Sequence, residues 1–194
     1  SPACRLLTRA GGSPRVQSAS ITYVLTCQLF VPDGVLLAIQ PGTTIYATPV
    51  DAAGQAPAII IEKGGMILAD GTADAPITFT ALDSEATSDE TVDSDTDSDT
   101  GAAALGSRGK WGGLILLGSA PTSVATDTEV EGISGYSYGG TDPADSSGVL
   151  RYVRVWHGGA VVGADNEING ITFAGVGSNT VVEHCEVAFN ADDG

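Results

Sequence analysis

The sequence predicts an all-β chain wound as a parallel β-helix, a single-stranded solenoid with loop insertions, and three observations carry that expectation. Three runs near the C-terminus, Leu150 to Trp156, Ile171 to Val176 and Val181 to Phe189, are rich in β-branched or aromatic residues, alternate in polarity and are closed by Gly, Asn or Asp. Such runs return about every ten to twenty residues with no helical segment between them, which is too little chain for crossover helices and enough for coils. Finally, 26 glycines, 9 prolines and only 16% charged residues suit a chain of short strands and many turns.

A strand presents every second side chain to one face, so Leu150, Tyr152 or Val153, Val155, Ile171, Phe173, Val182 and Val187 are expected to share one interior. With 194 residues the chain can bury one good core and is read as one domain. The formal charge of −16 comes from 24 acidic against 8 basic side chains. It would repel nucleic acid and anionic membrane at long range, leaving cationic partners, neutral glycans and divalent ions. No apolar run approaches the roughly 18 residues of a membrane span. Ser1 does not begin a signal peptide, so the chain reads as a mature form or a fragment.

Taken in order, residues 1–30 are a lead-in and cap: Arg5, Arg9 and Arg15 lie among Gly, Ser and Pro with no period, and residues 21–31 are placed to cover the first coil. A Cys4–Cys27 disulfide is expected to pin this cap, with Cys185 a buried strand thiol; the alternative is that all three cysteines are reduced. Residues 31–194 are the β-helix. Gly34 to Ala47 and Pro57 to Asp70 look alike, each a strand, a turn at Pro41-Gly42 or Gly64-Gly65, and a second strand. Aligning Ile39 with Ile61 sets a coil of about 22 residues. Gly71 to Thr80 adds a turn and a strand from Ile77 to Thr80.

Residues 83–108 are an acidic insertion. Eight carboxylates fall between Asp83 and Asp99 without one Lys or Arg, a composition that stays solvated. Asp93, Asp95, Asp97 and Asp99 alternate with Ser and Thr, so either this is a plain acidic loop or it offers oxygens to Ca2+, the one candidate cofactor. It departs from the EF-hand pattern, with Ser98 where Gly is needed and Ala104 where a bidentate Glu belongs. Trp111-Gly112-Gly113 then opens the strand Leu114 to Leu117, and Trp111 either packs over a coil corner or stacks on a sugar. Residues 119–147 form a second excursion. Its Tyr136 and Tyr138, exposed beside Trp111 and Trp156, would make a glycan platform; buried, they form the loop's own core.

Five ordered motifs, VLLAIQPGTTI, AIIIEKGGMILADGTADAPITFT, KWGGLILLGSAP, YGGTDPADSSGVLRYVRVWHGG and EINGITFAGVGSNTVVEHCEVAFNADDG, cover nearly all of the chain from about residue 30. They resemble those of secreted pectin-lyase-like right-handed parallel β-helix proteins of marine bacteria and algae. The resemblance implies that right-handed fold, export from the cell and further C-terminal coils beyond Gly194; it implies no particular activity.

Chemistry-bearing patterns are sparse. G-x-S-x-G, phosphate-loop and zinc spacings are absent from the sequence. His184 and Cys185, as strand neighbours, point to opposite faces and cannot form a dyad. Asp192-Asp193 after Asn190 is similar to the paired aspartates of β-helical polygalacturonases, but that family's Gly-His-Gly and Arg-x-Lys are missing. β-Helical lyases pair calcium with an Arg or Lys base; here Arg151 and Arg154 lie three apart and are expected on opposite faces. No catalytic residue is assigned. The expected role is a non-catalytic extracellular or cell-surface β-helix, structural, adhesive or glycan-binding, with glycans or matrix proteins as partners and end-to-end stacking as a route to fibres. The alternative is a polysaccharide lyase or glycoside hydrolase.

Overall fold

Short strands of alternating burial wind into three parallel walls in the computed structural model, which describes residues 15–16, 21–82, 108–160 and 168–194. The first wall holds β1 (Arg15–Val16), β4 (Leu36–Ile39), β7 (Met66–Asp70), β12 (Gly148–Arg151) and β15 (Val181–Glu183). The second holds β2 (Tyr23–Leu25), β5 (Thr44–Ala47), β8 (Ile77–Ala81), β13 (Val153–Trp156) and β16 (Glu186–Ala188). The third holds β3 (Gln28–Val31), β6 (Ala58–Ile61), β9 (Gly113–Leu117) and β14 (Ile171–Ala174). Each coil visits the walls in that order, and every pairing within a wall is parallel. The architecture is a right-handed parallel β-helix, the hand that a right-twisted strand favours when it returns to the same sheet.

Stacking in register lays like over like, about 4.8 Å apart. Val31, Ile61 and Leu116 form one interior ladder and Leu29, Ile59, Leu114 and Ile171 a second. Ile45, Phe79, Val155 and Val187 form a third on the second wall. These ladders merge into one core in which most side chains are fully buried. Trp111 belongs to it: the ring is 1% exposed, stacks near Phe79 at 6.4 Å, and donates its indole N–H to the Trp156 carbonyl at 2.8 Å.

Four sequence expectations change. The coils start before residue 31, because β1, β2 and β3 pair with β4, β5 and β6; residues 21–31 are a coil, not its cover. The 22-residue alignment is out of register, since Ile39 stacks on Ala69 and Ile61 on Val31. Strand-turn-strand looks the same at every corner, and a period of two fixes a side chain's face without saying which wall it joins. The run from Leu150 to Trp156 is two strands on two walls, hinged at Tyr152, whose φ of 48° makes a one-residue corner. Arg151 and Arg154 therefore both face outward, one from each wall. Lastly, Phe173 and Val182 align with interior residues Leu116 and Leu150, yet are 42% and 43% exposed because no described strand stacks beyond them.

The same corner recurs at His184, φ 54°, whose ring stacks on Tyr152 at 4.5 Å. Beside it Cys185 is a half-buried free thiol whose ionisation burial pushes up. Arg151 bridges three coils by pairing with Asp70 below and Glu183 above.

Candidate functional site

The third wall is unlike the others: β6 and β9 are buried on both faces. Their outward residues Ala58, Ile60, Ile115 and Leu117 would meet water if residues 119–147 did not fold back over them. That excursion contains an antiparallel ribbon, β10 (Thr128–Glu129) with β11 (Ser137–Tyr138), and places Val130 and Ile133 in a second apolar cluster against the wall. Tyr136 stacks on Phe30 at 4.5 Å, and both pack on the same cluster. The root of the excursion is stitched to the wall by backbone bonds from Ala120 to Gly175 and from Gly139 to Gly118. A Cβ at Gly118 would lie 2.3 Å from the Gly175 carbonyl oxygen, so only glycine permits this approach.

A tether holds the far side. Lys63, at the corner after β6, donates to Asp127 Oδ1 at 2.6 Å and to the Gly139 carbonyl at 3.4 Å. That bond and the Lys63 charge hold the Asp127 carboxyl below the usual carboxylate range. Its neighbour Glu62 is pushed the other way by partial burial.

Between the excursion and the last coil of the third wall lies a cleft of about 370 Å³. Strand alternation turns Thr172 and Ala174 of β14 outward into it, as their register with Ile115 and Leu117 requires. Its apolar lining is Val124, Val130, Ile168, the exposed ring of Phe173, Ala174 and the Tyr138 side, and its polar lining is Thr122, Ser123, Glu131, Asn169 and Thr172. Among the described residues one carboxylate, Glu131, and no Lys or Arg line it.

Of the four aromatic residues expected to form a platform, only Tyr138 reaches this cleft. Trp111 is in the core, which rules out stacking on a sugar. Tyr136 is committed to Phe30. Trp156 lies on the second wall, where it bonds Glu186 at 2.8 Å, carries Arg154 over its ring and meets Phe189 edge-on. The platform therefore does not form. Asp93, Asp95, Asp97 and Asp99 lie outside the described residues, as does Cys4. Cys27 is disulfide-bonded. Among the described residues no group of three or more His, Cys, Asp or Glu gathers as a metal site. His157 stacks on Phe189 at 5.1 Å and His184 on Tyr152, both at coil corners. Glu131, Asn169 and Thr172 were missed as a group. Their only sequence signal is that Thr172 alternates outward on β14.

A three-walled parallel solenoid with a cleft on one outer wall defines an all-β scaffold whose outer surface is built of stacked strands and corner loops. The family model described as "Pectate-lyase like beta helix domain" matches residues 14–91 and 99–194, and the chain belongs to that family. No curated protein and no solved structure matches it.

Proposed function

We propose that this domain is a non-catalytic, extracellular or cell-surface glycan-binding β-helix, and that the cleft under the 119–147 excursion is where the glycan sits. The observation that carries this reading is the lining itself: apolar side chains, Phe173 among them, mixed with hydroxyl and amide groups suit the C–H face and hydroxyls of a sugar. At about 370 Å³ the cleft is near the small end of the ~300–1,000 Å³ range of ligand sites, room for one or two rings rather than a long chain. Glycoside hydrolysis uses two carboxylates facing one bond, and among the described residues Glu131 is the one carboxylate in the lining. A negatively charged uronate would meet Glu131, with no Lys or Arg among the described lining residues, and a chain of net charge −16 around it. The disulfide at Cys27 supports an oxidising, exported setting.

The test is titration of neutral and uronic oligosaccharides into the protein and its Thr172→Trp variant, with thermal melting as a fold control and product analysis in parallel. Binding of a neutral glycan that Thr172→Trp removes, with no new reducing ends or unsaturated products, supports the proposal. Steady product formation abolished by Glu131→Gln would replace it with the hydrolase or lyase reading.

A further inference from the structure

Resting on the glycan reading just given, we propose that the cleft selects a sugar bearing an acetamido substituent over an unsubstituted neutral sugar. The lining combines aliphatic side chains with groups that hydrogen-bond. Val124, 45% exposed, lines the cleft together with the buried Val130 and Ile168 and the exposed ring of Phe173, so its lining offers apolar surface to a ligand. The same lining includes an amide and a hydroxyl, Asn169 and Thr172, each able to donate and accept. An acetamido group presents that same pair of features, a methyl next to an amide N–H and C=O. An unsubstituted hydroxyl would leave the aliphatic wall wet, and a carboxylate would face Glu131.

The preference follows from its parts. Burying one methyl contributes about fourfold in affinity, and one amide hydrogen bond in a partly apolar site contributes about another threefold to tenfold. Together they predict at least about a tenfold preference.

The experiment is calorimetric titration of the intact chain with four trisaccharides: an N-acetylglucosamine trimer, its N-deacetylated form, the unsubstituted glucose trimer and a uronate trimer. It is run at 0.3 M NaCl so that long-range attraction between the amine form and the acidic chain is screened. The acetylated trimer is expected to bind at least tenfold tighter than the glucose trimer. Val124→Ser, at an exposed position whose change spares the core, is expected to lower affinity for the acetylated trimer by a larger factor than for the glucose trimer, bringing the two affinities together. Equal affinity for the two, or equal weakening of both by Val124→Ser, would overturn the acetamido preference while leaving the glycan reading intact. Tightest binding of the amine form would overturn it in favour of a cationic ligand paired with Glu131. No binding of any trimer would remove the glycan reading itself.

Discussion

If the 119–147 excursion truly seals the third wall, an outward residue there must cost as much to truncate as an inward one. Ile115 and Leu114 are adjacent on β9, point to opposite faces and are both fully buried. Ile115→Ala removes about three carbons, roughly 2.4 kcal/mol of transfer free energy at ~0.8 kcal/mol each. The residual cavity raises this into the usual range of about 2–5 kcal/mol. Leu114→Ala is expected in the same range. The control is Leu68→Ala, outward on the open first wall and 37% exposed, where the neighbours can relax and the loss is expected near 1 kcal/mol or less. Urea unfolding of the three variants, read as midpoint shifts at constant slope, supplies the comparison. An Ile115→Ala loss matching Leu68→Ala instead of Leu114→Ala would refute the idea that the excursion packs on this wall in solution.

Other expectations follow from the same contacts. Gly148→Ala places a Cβ 1.9 Å from the Ile67 carbonyl oxygen at a φ of 115°, so it should prevent folding or cost more than about 3 kcal/mol, seen as lost expression or a large drop in melting temperature. Trp111 alone, in a Trp156→Phe background, should emit as a buried indole and resist iodide quenching; ready quenching would contradict its place in the core. Asp127 has a depressed carboxyl, so the stability contributed by its Lys63 bond is fully present above the ordinary carboxylate range and is lost as pH falls through the depressed value. Wild-type and Lys63→Met stabilities should therefore converge only in strong acid, and convergence already at neutral pH would count against the tether. Cys185 should alkylate more slowly than a small free thiol at neutral pH and speed up above the usual thiol range.

Much of the fold was legible because parallel stacking repeats a simple rule: alternate, turn, alternate. The strands at Ile77, Leu114 and Ile171 and the absence of helices among the described residues follow from that rule. Wall assignment was not legible. Tyr152 and His184 turn a corner in one residue with positive φ; nothing in a tyrosine announces that backbone, and histidine, though enriched in it, adopts it in only a minority of positions. The resulting stack of one ring on the other exists only once the coils are in register. The candidate site was less legible than the fold. Its residues come from Thr122, Glu131, Tyr138, Asn169 and Thr172, distant in sequence and joined only when the excursion closes over the wall. Aromatic residues drew attention because sugars stack on them, but Trp111 and Tyr136 were needed for packing.

The central claim, that the excursion and the last coil of the third wall together hold a glycan, is tested most directly by mapping amide shifts of labelled protein with whichever trisaccharide binds tightest. Perturbations are expected to cluster at residues 122–124, 130–131, 138 and 168–175. Shifts confined to the outer face of the second wall around Arg154 and Trp156 would contradict it.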